Sequence, residues 1–508
     1  MDNKELAARL FPDVEHEPQY YLDMYPERNL PEGAIVTRFA PSPTGFMHIG
    51  NLRTALYAYL FAKQNNGDFV LRIEDTDLER FVEGALDVIY NTLDLAKISI
   101  DEGPKQGGNY GPYVQTERKD LYLKYAKVLV EKGAAYYCFC DKERLETLAN
   151  DQGIKRYDKH CLNLPKEEVE MRLARGDSYV IRQNMPTEGV SEFDDLVFGH
   201  VSIPNSELED QILIKSDGLP TYNFANVVDD HLMKISYVMR GNEYLSSTPK
   251  YNLLYDAFGW EHPKYVHLTP IMKDATRKLS KRYGDANFED FINKGYLPEA
   301  IINYIALLGW SPKGEQEKFT MEELIEKFSI DGLSKSSSIF DQTKMSWLNG
   351  EYIKELSFEK FMEYATPFFE KSCIKDKYDY AKFGKLLQSR IEIFSEIAEK
   401  VAFIDDFKEI SKEQWFNKKL KINEEVALRV LEDVYPKLEE IEFTEDNLHK
   451  VIVESAERLE LKSGVVYTVL RVALTSYNVT PGGSVEMADI LGKEESLRRL
   501  SLALQWLK

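Results

Sequence analysis

Cysteine is scarce. Four thiols in 508 residues, Cys138, Cys140, Cys161 and Cys373, are too few and too unevenly placed to staple a chain of this length. A disulfide framework is excluded, which leaves reduced thiols or a metal site. Long apolar runs are missing too: no stretch approaches the roughly 18 consecutive apolar residues of a membrane span. The opening MDNKELAARLF has neither the basic end nor the apolar core of a signal peptide. A cytoplasmic protein with no membrane attachment is expected. Basic charge is in deficit, with 64 Lys and Arg against 85 Asp and Glu and a net charge of −21. That balance argues against a protein that coats nucleic acid with its whole surface, because phosphate neutralisation needs concentrated Lys and Arg. A local basic track is still compatible with it. Internal repeats and low-complexity tracts are absent.

What is there is an ordinary globular composition, 43% hydrophobic and 29% charged, in a chain long enough for several domains of about 100–200 residues. The first 33 residues, acidic and rich in Tyr and Pro, read as an extended lead-in. Ala34 to Phe39 is a strand candidate, followed by a stretch holding Pro41, Pro43 and Gly45, then by HIGNLRTALYAYLFAKQ with helical periodicity, then by a second strand candidate from Asp68 to Ile73. Strand, tight loop, helix and strand make the opening half of a parallel α/β nucleotide-binding sheet. Between about residues 110 and 220 the pattern loosens. Amphipathic helices around Arg118 to Lys132 and Lys166 to Gly176, with short strands near Tyr179 to Gln183 and Val197 to Ile203, mark an insertion between two halves of the sheet. QILIKSDGLPTYNF, from Gln211, is expected to resume the α/β theme. From about Ser334, and clearly from Leu356, apolar residues at helical spacing predict a mainly helical remainder.

Two constellations carry chemistry. In RFAPSPTGFMHIGN, from Arg38, a loop leaves a strand and enters a helix, so backbone N–H groups and the positive helix end can receive a phosphate. His48 at the helix mouth can donate to the α-phosphate as charge builds during attack at phosphorus. HxG alone is no more than a turn before a helix; the flanking Pro-Ser-Pro-Thr-Gly makes chance a poor explanation. The second is Lys278-Leu279-Ser280-Lys281-Arg282, about 230 residues downstream. Two lysines three apart can close over a triphosphate and neutralise the departing pyrophosphate most strongly in the transition state. A basic pentapeptide by itself is a solvated charge run. Paired with the first motif in this order, it reads as a phosphate-binding loop.

HIGN resembles the HIGH signature of class I aminoacyl-tRNA synthetases, and KLSKR resembles their KMSKS loop. Together with LRIEDTDLERF, YDKHCLNL, FDDLVFG, LPTYNFANVVDDHLM and GWEHPKYVHLTPIM, the sequence resembles the glutamyl-tRNA synthetases of the bacterial type, densely over about residues 34 to 360 and more weakly beyond. Asn51 departs from the last His of the signature, a change the glutamyl subgroup tolerates. The resemblance implies a glutamate site made by Arg38, Ala40, Ser42, Glu74, Tyr222, Asn226 and Arg240. It implies an ATP site made by His48, Gly50, Asn51, Glu243, Lys278, Ser280 and Lys281, with His48, Lys278 and Lys281 catalytic. Charge logic agrees, since a dicarboxylate with one ammonium group needs Arg donors and one acidic acceptor. Taken alone, Glu74 and Asp75 would be a salt-bridged strand end, Tyr222 a half-buried aromatic and Arg240 a surface residue at the end of the strand ISYVMR.

Some members of the family bind zinc in the corresponding insertion. Here Cys138, Cys140 and Cys161 lie within 24 residues, and a tetrahedral site needs a fourth ligand. The position two after the last cysteine is Asn163, a poor zinc donor; Tyr157 or His160 can substitute. Three ordinary buried thiols are favoured over a zinc site on the sequence.

The resemblance implies a Rossmann-like catalytic domain of residues 34–117 and 223–275, split by an acceptor-stem-binding insertion at 118–222 and preceded by an N-terminal extension at 1–33. A KMSKS loop and stem-contact segment at 276–360 and an all-α anticodon-binding domain at 361–508 complete the chain. ATP with Mg²⁺, L-glutamate and tRNA-Glu, with tRNA-Gln an open second substrate, are the implied partners of a monomer. Two rivals remain. A small-molecule adenylyltransferase uses a similar phosphate loop but has no need of a long helical C-terminal region. An RNA-modifying paralogue that glutamylates a tRNA nucleoside lacks the anticodon domain. Pyrophosphate exchange that requires tRNA separates the synthetase from both.

Overall fold

Two short β-branched and aromatic runs, Thr37–Phe39 and Phe69–Leu71, pair in parallel with Thr37 opposite Phe69 and Phe39 opposite Leu71. Every residue of both strands is buried, as expected for a parallel sheet covered on two faces. This computed structural model describes residues 2–77, 79, 82–148, 156–279 and 287–508. One compact unit comprises Met1–Asp290 with Ile302–Phe340, and the other Phe291–Ile301 with Asp341–Lys508.

In the first unit the second half of the sheet is the parallel pair Tyr237–Gly241 and Lys264–Leu268. The halves meet at one seam: the N–H groups of Ser236 and Tyr237 donate to the Val36 carbonyl at 3.0 and 3.2 Å, and the Val36 N–H donates to Ser236 Oγ at 2.9 Å. The helix Ile49–Gln64 leaves the first strand, and its small residues Ala55, Ala58 and Ala62 let it sit close to the sheet with both flanks buried. The helices Tyr222–Leu232 and Thr248–Phe258 flank the strand Tyr237–Gly241 in sequence and add their buried faces to the same core.

The insertion contains the helix Lys119–Glu131 and a three-stranded antiparallel sheet of Ala135–Cys138, Val180–Gln183 and Ile212–Ile214. The helix Lys166–Arg175 ends on Gly176, whose φ of 78° supplies the left-handed cap. Ile212–Ile214, expected to resume the α/β theme, instead pairs antiparallel with Val180–Gln183; Leu213 and Ile214 join the same buried cluster as Phe224 and Val227, and the α/β pattern restarts at Tyr222. A hairpin, Val190–Asp195 with Gly199–Pro204, adds to the edge of the catalytic sheet through Asp195, which pairs in parallel with Tyr265.

The N-terminal residues correct another expectation. They form two helices, Asn3–Leu10 and Pro18–Met24, and not an extended lead-in. Asp2 and Glu5 make a reciprocal capping box, Pro18 stands at the first helical position, and Leu6, Ala7, Leu10 and Phe11 join a buried cluster with Leu121, Tyr122 and Tyr125.

The second unit is helical among its described residues, from Gln342–Glu355 to the last helix, Ser484–Leu507. Its core gathers Phe361, Phe369, Phe383 and Phe394 with Val430, Leu431, Val466 and Leu500, which recur at helical spacing in the sequence. Among the described residues, no helix of either unit is long and apolar enough to cross a membrane.

Candidate active site

The loop after the first strand and the helix Tyr222–Leu232 close a cavity of about 660 Å³. Arg38, Ala40, Ser42, Asn51, Glu74, Tyr222, Arg240 and Glu243 line it, brought together from segments up to about 200 residues apart. Thr54, Thr76, Asp77 and Tyr244 also line it; sequence reasoning passed over all four. Thr76 and Asp77 lay within the quoted LRIEDTDLERF, and their place after Glu74 was the signal available. Asn226 is buried behind the wall, where its amide donates to the Tyr222 carbonyl at 2.8 Å. His48, Gly50 and Lys278 are not among the lining residues. Ser280 and Lys281 lie outside the described residues.

The floor is a buried ionic cluster. Asp230 accepts from Arg38 Nε at 3.1 Å and from Arg72 Nη1 at 2.7 Å, and Arg72 Nη2 donates to Glu74 Oε1 at 3.0 Å. Asp229 accepts from Arg118 Nε at 2.8 Å, from Gln115 Nε2 at 2.9 Å and from Tyr122 Oη at 2.8 Å. Arg38, Arg72 and Arg118 are thus answered by Asp229, Asp230 and Glu74, a balance that buried charge requires. Burial alone would raise the Asp230 carboxyl; Arg38 and Arg72 outweigh it and hold the group below the usual carboxylate range. Glu74 fares differently: burial pushes its carboxyl up to about 7 against the pull of Arg72 and Arg38.

Arg240 is the exception to the balance. It is 5% exposed, and among the described residues no carboxylate lies within ion-pair distance of it. Its Nε donates to His267 Nε2 at 3.1 Å and its Nη2 to Thr248 Oγ1 at 2.8 Å. The rings of Tyr251, Tyr244 and Tyr265 surround the guanidinium at 4.7, 5.4 and 5.4 Å. A buried cation in a cavity wall, held by neutral groups, is a standing receptor for an anion.

Outside the cavity lining, His48 caps the helix Ile49–Gln64, its Nδ1 accepting from the Gly50 N–H at 3.0 Å. That bond fixes the tautomer: a neutral His48 carries its proton on Nε2. Gly45, with φ of 108°, makes the turn that aims the loop, and Asn51 lies in the first exposed turn of the helix. Glu243 stands exposed at the rim, folded over Gly241, where any Cβ would collide with its carboxylate. Lys278 is exposed and pairs with Met272 in a short antiparallel bridge that returns the loop toward the strand Ile271–Met272.

In the insertion, the three sulfurs of Cys138, Cys140 and Cys161 lie within 4.8 Å of one another. Tyr157 Oη is 3.2 Å from Cys138 Sγ and 3.6 Å from Cys140 Sγ, while Cys140 and Cys161 are 3.5 Å apart. Tetrahedral zinc with bonds of about 2.3 Å to sulfur spaces its ligands by about 3.8 Å, so three sulfurs and a phenol oxygen fit. The hydrogen bond from Cys161 pulls the Cys138 thiol down, while the same contact pushes Cys161 up and burial pushes up the Tyr157 phenol. His160 and Asn163 are exposed and outside the group.

A strand–loop–helix unit capped by His48, a parallel split sheet and a charged pocket between its halves are what a nucleotide-activating class I synthetase domain is built from, and comparison with known proteins agrees. The family model described as tRNA synthetases class I (E and Q), catalytic domain, matches residues 34–347, and an anticodon binding domain model matches residues 360–504. The chain belongs to this family of class I tRNA synthetases. It is 57% identical over 479 residues to the glutamate–tRNA ligase of Clostridium botulinum, a match covering 93% of this chain and 99% of that one. It is 54% identical over 479 residues to that of Clostridium kluyveri, covering 93% and 98%. Among solved structures, a glutamate tRNA ligase from Elizabethkingia meningosepticum in complex with its amino acid superposes with a TM-score of 0.84 at 33% identity, covering 94% of this chain and 100% of that one.

Proposed function

We propose that the chain activates L-glutamate with ATP and Mg²⁺ to glutamyl-adenylate, releasing pyrophosphate, and transfers the glutamyl group to the 3′ end of tRNA-Glu. The observation that carries this reading is Arg240, a buried guanidinium on the cavity wall without a carboxylate partner among the described residues. The side-chain carboxylate of glutamate completes it, whereas a carboxamide leaves the charge unanswered and brings an N–H₂ donor against another donor. Arg38 assists from the adjacent wall, Glu74 takes the ammonium group, Tyr222 closes the side with Asn226 behind it, and Ala40 and Ser42 offer the loop. On the ATP side, Gly50, Asn51 and the helix N-terminus receive phosphate, Glu243 holds the ribose, and His48 donates to the α-phosphate as charge develops. Lys278, Ser280 and Lys281 act on the departing pyrophosphate.

Zinc, when bound, gives the insertion a structural cross-link, with Cys138, Cys140, Cys161 and Tyr157 as its ligands; the geometry favours it where the sequence alone favoured plain thiols. Metal content of the purified protein checks this. Residues 118–222 hold the acceptor stem and residues 361–508 the anticodon, in a cytoplasmic monomer. An RNA-modifying or small-molecule reading is disfavoured by the anticodon binding domain match at residues 360–504.

The deciding experiment is aminoacylation by Arg240→Ala with both glutamate and glutamine. The glutamate KM rises strongly and the preference between the two narrows, at about 2–4 kcal/mol in kcat/KM for glutamate. An unchanged preference in a folded variant removes Arg240 from the site.

A further inference from the structure

We propose that Asp195 and His267 are positioning residues for amino-acid selection: they hold Arg240 through a neutral acceptor, so that its positive charge is kept for the substrate. The proposal rests on the reading of Arg240 given above and adds how its charge is preserved.

The donors around Asp195 fix the imidazole tautomer, while the Thr248 hydroxyl has two acceptors in reach, the Tyr244 carbonyl at 2.9 Å and His267 Nε2 at 3.3 Å. His267 Nδ1 lies 2.7 Å from Asp195 Oδ2, an oxygen that also accepts the His267 backbone N–H at 3.1 Å. Asp195 Oδ1 accepts from the Val197 and Phe198 N–H groups at 2.9 and 2.8 Å. A carboxylate whose two oxygens both face donors accepts only, so Nδ1 carries the imidazole proton and Nε2 presents its lone pair. That lone pair takes Arg240 Nε–H at 3.1 Å. Thr248 fits the same pattern, giving its hydroxyl proton to the nearer of its two acceptors, the Tyr244 carbonyl, and accepting Arg240 Nη2–H at 2.8 Å. The side chains of Asp195 and His267 are both fully buried, and burial lowers the imidazole below the ordinary histidine range, which keeps it neutral.

The contrast with the neighbouring arginines shows what this accomplishes. Arg38 and Arg72 share the Asp230 carboxylate, and Arg72 also meets Glu74, so carboxylates fix their geometry and offset much of their charge. An imidazole nitrogen fixes geometry equally well and cancels nothing. Asp195 supplies the counter-charge one residue further back, where it sets the tautomer without pairing with the guanidinium. It comes from the insertion's hairpin, so a segment outside the two halves of the nucleotide fold sets the specificity residue.

Two substitutions separate the roles. His267→Asn places an amide N–H where Nδ1 stands and removes the acceptor at Nε2; His267→Gln places an amide oxygen near the Nε2 position. Aminoacylation is measured with glutamate varied at saturating ATP and tRNA, and with ATP varied at saturating glutamate and tRNA, for both, for Arg240→Ala, and for His267→Asn combined with Arg240→Ala. His267→Asn raises the glutamate KM by about tenfold or more with the ATP KM within about twofold of wild type, His267→Gln recovers most of the loss, and His267→Asn adds nothing once Arg240 is gone. A glutamate KM for His267→Asn within about twofold of wild type overturns the proposal, and so does a loss that adds in full to that of Arg240→Ala. If Arg240→Ala itself leaves the glutamate KM unchanged, the reading of Arg240 falls first. Should His267→Asn fail to fold, Asp195→Asn takes its place: with its amide N–H₂ toward His267 the imidazole tautomer reverses and the acceptor for Arg240 is lost, and with the N–H₂ toward Val197 and Phe198 it opposes two backbone donors and loosens the support of His267, so the same rise in glutamate KM is expected. Loss of fold in both asparagine variants overturns positioning in favour of a purely structural role.

Discussion

A carboxyl group meant for an ammonium ion serves only when ionised, and Glu74 sits where ionisation is expensive. Burial pushes it up to about 7, so in the empty enzyme the competent form is gained as pH rises through that value. kcat/KM for glutamate should therefore climb about tenfold per pH unit below 7 and level off above it, and Glu74→Gln should flatten the limb. Glutamate binding near pH 7 should also release a proton, read by calorimetry in two buffers of different ionisation heat; a profile without either feature reassigns Glu74. In the unfolded chain the same carboxyl ionises near its ordinary value of about 4.3. The empty site thus loses stability as pH rises from there to about 7, and regains it as pH falls. The candidate side chains from Arg38 to Asn51 and Glu74 could be named from the sequence because they sit in contiguous motifs, whereas Thr76 and Asp77, two and three positions after Glu74, line the cavity without having been singled out. Asp195 and His267 were within quoted segments too, but their pairing spans 72 positions, and nothing local in either segment specifies it.

The N-terminal segment acts as a strap across the first unit. Arg28 donates to Asp68 at 2.7 Å, to both Glu102 oxygens at 2.8 and 3.0 Å and to the Met233 carbonyl, and it lies 4.1 Å over the Tyr110 ring. Its side chain is 6% exposed while Asp68 and Glu102 are 23% and 12% exposed, so Arg28→Ala leaves two half-buried carboxylates without their guanidinium and should destabilise this unit by about 2 kcal/mol, below the cost of breaking a fully buried pair. Denaturant midpoints with unchanged slope measure that; a shift below about 0.5 kcal/mol would make the strap ornamental. Its helices escaped the sequence reading because they are short and polar, although Asp2 and Glu5 carried a capping signal. The strand Val190–Asp195 escaped for a different reason: its residues are largely exposed, so its apolar alternation is weak. The helix Ile49–Gln64 and the C-terminal helices were legible because long periodic segments state their burial directly.

At the scale of the molecule the net charge of −21 restricts where RNA can lie. Docking must use a local basic track, so tRNA affinity should fall steeply between low and physiological salt, with a log–log slope set by the number of phosphates contacted. Filter binding over a salt series tests it, and a flat response contradicts the picture. The seam between the halves of the sheet has a consequence in time. Val36 and Ser236 are 200 positions apart, and at about 5–20 residues per second a ribosome needs roughly 10–40 s to deliver the second after the first. Throughout that interval the strand Thr37–Phe39 has its neighbour Phe69–Leu71 on one side and an open edge on the other. Open edges recruit foreign strands, so the newborn chain passes through a window of vulnerability that the finished enzyme never shows, and it closes only when the insertion has been made.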